Sequence, residues 1–315
     1  MTAITPEFTQ AALRTLYRSE AAIAAIDDWY KAALRRLPFD HQCISVATRL
    51  GQTHIVQTGN LTGRPVILLH GLMNNALIWE PQLAALQDFC VYAVDIIGQP
   101  GRSYPYRPSL LTDDYAHWLI DVMDGLGLQQ AALTGLSMGA LLALRFAAYA
   151  PARVTRLALL SPAGLATLKV SMYQRIIAAN MPWRDFYTSM RDLMTYIYMT
   201  PDVEINGDIA HIRHFLDLTA RYQKPLLNPR AAFEGILTGL PIRAEMLQRC
   251  TMPALVMVGT DDVMFDAVRV VRNSAQHLPQ FAGAHIMPDS GHAMIYQQSA
   301  RVNAALVDFL HGQPN

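Results

Sequence analysis

Gln130-Ala131-Ala132-Leu133-Thr134-Gly135-Leu136-Ser137-Met138-Gly139-Ala140 sets a serine between two glycines where one periodicity gives way to another. Before Ser137 runs an apolar stretch of strand character, Gln130 to Leu136. After it runs a stretch of helical character, Ala140 to Tyr149. A serine in that setting sits on a sharp strand-to-helix turn with its hydroxyl exposed. The flanking glycines answer a steric demand, because a Cβ on either side would meet the neighbouring strand and helix. A free hydroxyl is a weak nucleophile, so the reading requires a base and an acid to orient it.

The chain has 315 residues, 52% hydrophobic and 16% charged, with no formal net charge. That composition belongs to a globular protein with a large buried core. The balanced charge and the lack of a basic run argue against nucleic acid as a partner. The three cysteines, Cys43, Cys90 and Cys250, form no C-x-x-C pair, and their odd number argues against a disulfide framework. The N-terminus lacks the basic start and apolar run of a signal peptide. The most apolar stretch, Ala131 to Leu144, is too short to span a bilayer. The expectation is a cytoplasmic enzyme with no membrane span.

Thr5-Pro6-Glu7 reads as a helix start. Ser19 caps a second helix whose apolar positions Ile23, Ile26, Tyr30, Leu34 and Leu37 recur at helical spacing until Pro38. Residues 1–40 are therefore expected to form a helical extension. Cys43–Leu50 and Thr53–Gln57 read as a hairpin around Gly51-Gln52. Further strands are expected at Pro65–Leu69, Phe89–Ile96, Ala131–Leu136, Leu157–Leu160, Ala254–Val258 and His285–Met287. With helical segments between them, they predict an α/β fold with a mostly parallel sheet covered on both faces. From Pro162 to about Leu247 no strand is legible. That segment reads as a helical cap, residues 163–247, inserted after strand 6 between the two parts of the core, 41–162 and 248–315.

Ligands of an open parallel sheet sit beyond the carboxyl ends of its strands, and the polar residues of interest lie there. His70-Gly71 follows one strand and Ser137 another. Asp261-Asp262 follow Gly259-Thr260, and His292 follows the last strand in Asp289-Ser290-Gly291-His292. The chain order is serine, acid, histidine. In this order the chain resembles the α/β-hydrolases, in particular bacterial serine carboxylesterases, over about Val46 to Leu310. Its motifs are Leu69-His70-Gly71-Leu72, the run Asp95 to Ser103, Gly135 to Gly139, Gly259-Thr260-Asp261-Asp262 and Ser290-Gly291-His292. The Asp95 run departs from common relatives in having two residues, Gln99-Pro100, between Gly98 and Gly101.

The resemblance implies an eight-stranded, mostly parallel α/β-hydrolase sheet and a Ser137–His292–Asp262 triad. Asp262 is selected over Asp261 because the family's acid falls three residues after Gly259. The oxyanion donors implied are the backbone N–H groups of Leu72 and Met138. His70 is expected to brace that loop or to touch substrate, Asp95 to anchor a loop, and Asp266 to cap a helix. Neither a metal nor a cofactor is implied. His211 and His214 lie at helical spacing without further ligands.

Met172, Tyr173, Met181, Trp183, Phe186, Tyr187, Met190, Met194 and Tyr198 crowd the expected cap. Most fit its own core. Trp183, Tyr187 and Met190 are candidates to line the substrate pocket. An apolar, Met-rich lining favours neutral groups, so the expected substrate is a small neutral carboxylic ester of short to medium acyl chain. Thioesterase, lactonase, carbon–carbon hydrolase and perhydrolase chemistry use the same machinery. A slow-turnover ligand receptor or signalling partner is a reading from a different class.

Overall fold

The chain, in a computed structural model, is described over residues 5–179, 186–198, 210–222 and 241–312. Its strands are β1 (His41–Thr48), β2 (Gly51–Gly59), β3 (Pro65–Leu69), β4 (Cys90–Val94), β5 (Ala131–Leu136), β6 (Val154–Leu160), β7 (Ala254–Gly259) and β8 (Phe281–Met287). They form one sheet in the order β1-β2-β4-β3-β5-β6-β7-β8. β1 pairs antiparallel with β2, and β2 with β4; the remaining pairings are parallel. β3, β4, β5 and β7 are apolar along nearly their whole length and buried, as strands covered on both faces must be.

The order of strands positions the site. From β3 the chain crosses to β4 on one side, and from β5 to β6 on the other. The direction of winding therefore reverses between β3 and β5, which lie side by side with Leu69 opposite Gly135. Connections leaving the two carboxyl ends diverge there and open a crevice. His70-Gly71 and Ser137 flank it.

Several strand boundaries differ from expectation by one to four residues, and two of the differences have a structural cause. The hairpin turns at Arg49-Leu50, and Gly51, with φ 113°, already pairs with Thr48. A Cβ on Gly51 would stand 2.5 Å from the Tyr104 ring, so this glycine serves a close approach rather than the turn. β8 begins four residues before the expected His285. Gly283, at φ 136°, takes up a register shift against β7 and hides the start of the strand from its pattern.

The N-terminal helices are α1 (Pro6–Thr15) and α2 (Glu20–Arg36). Thr5 Oγ1 accepts from Phe8 N–H and Ser19 Oγ from Ala22 N–H, which satisfies a free donor in each first turn. Then come α3 (Glu80–Ala85), α4 (Asp114–Gly125) and α5 (Met138–Tyr149). Between β6 and β7 the described residues contain no strand; they hold α6 (Val170–Ala179), α7 (Phe186–Tyr198), α8 (Ala210–Tyr222) and α9 (Ala244–Leu247). The chain closes with α10 (Ala267–His277), α11 (Met294–Gln297) and α12 (Ser299–His311). No helix of the described residues is long and apolar enough to cross a membrane.

α2 does more than lean on the sheet. The rings of Trp29 and Phe215 of α8 stack at 4.3 Å, and Trp29 Nε1 donates to His211 O. On its other side Asp27 takes Arg102 Nε and Nη2 at 2.8 and 2.7 Å, while the Arg102 guanidinium lies over the Tyr30 ring. Lys31 Nζ is also 2.7 Å from Asp27. Removing one partner of a largely buried ion pair leaves a poorly solvated charge, at a cost of about 3–5 kcal/mol. Because Lys31 remains, Arg102→Leu is expected to lower unfolding stability by about 3 kcal/mol, the lower end of that range. Urea denaturation of the two proteins checks this; equal midpoints would refute it.

Candidate active site

Ser137 is the residue between β5 and α5, and its backbone has φ 54° and ψ −113°. A non-glycine residue holds such a conformation only when its surroundings impose it. Here they do. Ser137 N–H donates to Leu160 O on β6. A Cβ on Gly135 would stand 2.5 Å from Ala140 N and Cα, and one on Gly139 would collide with Leu69 O at the end of β3. The two glycines let α5 start directly against both strands. The strained turn lifts Ser137 toward the crevice.

Asp262 and His292 come together from the loops after β7 and β8. His292 Nδ1 and Asp262 Oδ2 are 2.9 Å apart, and both residues are buried. Asp262 Oδ1 accepts from Met264 N–H at 2.7 Å and from Phe265 N–H at 3.2 Å. Two backbone donors thus fix the carboxylate, which in turn holds His292 with its Nδ1–H directed away from the crevice. His292 Nε2 is left as the acceptor. Asp261 is exposed and its carboxylate accepts from the Thr260 hydroxyl, and Asp266 caps α10 through Arg269 N–H. Ser137 is buried as well, and its hydroxyl makes no hydrogen bond to His292 among the described residues.

A model of the alpha/beta hydrolase family matches residues 66–305. The chain belongs to that family. Carboxylesterase YbfK of Bacillus subtilis is 29% identical over 90% of this chain and 92% of its own. The uncharacterized carboxylesterase nap of the same organism is 28% identical over 90% and 91%. The crystal structure of the B. subtilis carboxylesterase CesB (YbfK) superposes with a TM-score of 0.78 at 25% identity, over 93% of this chain and 99% of that one. That of B. subtilis naproxen esterase gives 0.76 at 25% identity, over 90% and 96%. This alpha/beta hydrolase therefore resembles bacterial carboxylesterases.

The loop after β3 completes the crevice wall in this hydrolase. His70 is fully buried, and both of its ring nitrogens are used: Nδ1 lies 2.8 Å from Gly71 O, and Nε2 accepts from Ile96 N–H at 2.9 Å. Neither nitrogen is left for a substrate. Met73, at φ 59°, donates its N–H to Gln99 Oε1 at 2.9 Å. Gln99 is one of the two residues between Gly98 and Gly101, so the widened motif supplies a side chain that pins the loop. Among the described residues, the N–H groups of Leu72 and Met138 reach no protein acceptor.

Asp95 anchors the next layer. Its Oδ1 accepts from Ala76 N–H and the Tyr30 hydroxyl, and its Oδ2 from Arg102 N–H. Burial pushes its carboxyl up to about 6. A cavity of about 630 Å³ opens beside it, lined by residues such as Tyr17, Tyr30, His54 and Arg102. None of Ser137, Asp262 and His292 borders that cavity, so it is separate from the crevice.

The expected pocket residues fare differently. Met190 is buried on α7. Trp183 and the Tyr187 side chain lie outside the described residues. Sequence reasoning did not single out Tyr198. It follows Met190 and Met194 at four-residue spacing, and all three are buried on one face of α7. Its ring lies 6.2 Å from that of His292.

Burial holds the His70 imidazole down to about 4, so it stays neutral in the folded protein well below its ordinary value of 6.5. Between those two values the unfolded chain binds a proton that the folded one refuses, and stability falls as pH drops. His70→Asn removes that titration. The variant is expected to be less stable than the wild type at pH 8, where Ile96 N–H loses its acceptor. The gap should shrink by about 2 kcal/mol by pH 5. Denaturation curves at the two pH values check this; parallel losses in both proteins would contradict it.

Proposed function

We propose that this hydrolase is a serine carboxylesterase that cleaves neutral carboxylic esters of short to medium acyl chain through an acyl-enzyme on Ser137. The observation that carries this reading is the Asp262–His292 pair behind a serine raised on a strained turn. Ser137 Oγ attacks the ester carbonyl while His292 Nε2 takes its proton. The carbonyl π electrons move onto oxygen, and the N–H groups of Leu72 and Met138 hold the resulting oxyanion. Collapse of that intermediate expels the alkoxide, which takes the proton from His292. Water then repeats the sequence and releases the acid. Asp262 holds the imidazole in its tautomer and stabilises its charged form. The missing Ser137–His292 hydrogen bond fits a free enzyme, because such bonds often tighten only when substrate is bound.

Support for a neutral substrate comes from the buried apolar residues near the acid–histidine pair. The Phe265 ring is 6.1 Å from His292, and Met194 and Tyr198 lie buried on α7. A charged acyl group would lose its hydration there without a partner. Residues 163–247 act as the cap, and α7 within them supplies this wall.

Ser137→Ala is expected to lower ester turnover by about 10⁴-fold or more while leaving the melting temperature near that of the wild type. Steady-state hydrolysis of p-nitrophenyl butyrate checks this, and retained turnover would mean another nucleophile. In a p-nitrophenyl series, acetate to hexanoate esters should be cleaved with kcat/KM well above that of the singly charged succinate half-ester. A preference for the charged acyl group would refute the substrate assignment.

A further inference from the structure

Gly71 marks a point of unusual convergence. A Cβ placed there would lie 3.2 Å from the Tyr198 phenol oxygen and 3.5 Å from Ser137 Cβ. The phenol of a residue from α7 and the serine from the β5–α5 turn thus face the same small space beside the loop after β3. The absent side chain of Gly71 keeps that space open. Tyr198 reaches it from a helix of the cap and is itself buried.

Asn74 fixes what the phenol can do. Its Nδ2 donates to Leu72 O at 3.2 Å and to Tyr198 Oη at 2.5 Å. Both amide hydrogens are engaged, and the phenol oxygen is an acceptor in this bond. A reversed amide would put Asn74 Oδ1 against the Leu72 carbonyl oxygen, so the orientation is set by an acceptor that requires an N–H. The phenol proton has no acceptor among the described residues. Burial raises the phenol above its ordinary pKa, which keeps that proton on the oxygen. Among the described residues the phenol is a buried hydroxyl whose proton meets no acceptor, beside the same space as Ser137.

We propose that the Tyr198 hydroxyl donates a hydrogen bond to the carbonyl oxygen of the bound ester, as a side-chain member of the oxyanion site that the cap delivers. The proposal rests on Ser137 as the nucleophile. As the carbonyl oxygen gains charge, a fixed donor in a site shut off from water stabilises it more than it stabilises the ester. Asn74 strengthens the effect: its N–H to the phenol oxygen polarises the O–H outward. The same amide holds the carbonyl of Leu72, whose N–H is the proposed backbone donor. One asparagine side chain thereby sets both a backbone donor and a phenol donor.

Tyr198→Phe keeps the ring and removes only the donor. It should lower kcat on p-nitrophenyl butyrate by about 10²-fold, with KM within about threefold and the melting temperature within a few degrees of the wild type. Inhibition by butylboronic acid, which forms a tetrahedral adduct on serine, should weaken in the same proportion as kcat. Butyrate carries no tetrahedral oxyanion, and its inhibition should change much less. A variant with wild-type kcat, or one in which KM alone rises, would overturn the proposal and leave Tyr198 as a packing residue of the cap. Ser137→Ala, assayed alongside, separates the two readings. Lost activity in Ser137→Ala with wild-type kcat in Tyr198→Phe refutes only the role of Tyr198; retained activity in Ser137→Ala refutes the nucleophile as well.

Discussion

The carbonyl of Leu69 ends β3 where a side chain on Gly139 would have to stand. That contact between a strand end and the first turn of α5 governs the rest of the site. It brings the loop after β3 against the turn that carries Ser137, and it can exist only because residue 139 has no Cβ. Gly135 makes the matching concession toward Ala140. With both positions bare, β5 can turn into α5 within one residue, and Ser137 absorbs the strain with its φ of 54°. The two crevice walls are therefore a single packed unit. Moving α5 outward by the width of a methyl group would part the turn that carries Ser137 from the end of β3.

Around that unit the polar groups are arranged in shells of backbone acceptors and donors. His70 ties the loop after β3 to Ile96, Gln99 ties Met73 to the loop after β4, and Asp95 ties Ala76 to Arg102 and to α2. Each of these side chains is buried and hydrogen-bonds to main chain, Asp95 also to the Tyr30 hydroxyl. Such bonds fix backbone position more closely than apolar packing does, since an unpaired buried N–H carries a cost of about 1–3 kcal/mol. The loop after β3 is thus held from behind at three successive points. His70 stays neutral in the fold, so its acceptor nitrogen is available to Ile96 at any pH the protein encounters near neutrality.

What the sequence made legible follows from how local each constraint is. The turn at Ser137 could be read because its glycines and its change of periodicity are adjacent in the chain. Strands β3 to β7 could be read because buried parallel strands are continuous apolar runs, and β1 and β2 from the hairpin signature; the family match over residues 66–305 agrees with that architecture. Gly51 misled because a glycine near a hairpin suggests the turn itself, whereas here it answers the Tyr104 ring from a distant loop. Gln99 registered only as an extra residue; that its amide reaches Met73 depends on how two loops fold together. Tyr198 stood in a list of cap aromatics with no signal to set it apart. Helical spacing with Met190 and Met194 marks a buried face, but nothing local says that this face ends over Gly71.

The N-terminal helices, expected as a helical extension, bear on that last point. α7 packs on α8, and α8 packs on α2. The Trp29–Phe215 contact and the bond from Arg18 N–H to Tyr222 O fasten α8 to the N-terminal helices at two places. α2 is in turn fixed to the Asp95 layer by Tyr30 and by the Asp27–Arg102 pair. That layer holds Ala76, two residues beyond Asn74, whose amide meets the Tyr198 hydroxyl. The path from Tyr198 through α8, α2 and Asp95 thus returns to Tyr198. A helix at the rim of the sheet can in this way set the position of a phenol beside the serine without touching either. The N-terminal helices are then a brace that keeps the α7 tyrosine in register with the loop after β3, which accounts for their tight capping and for the charged pair buried at their base.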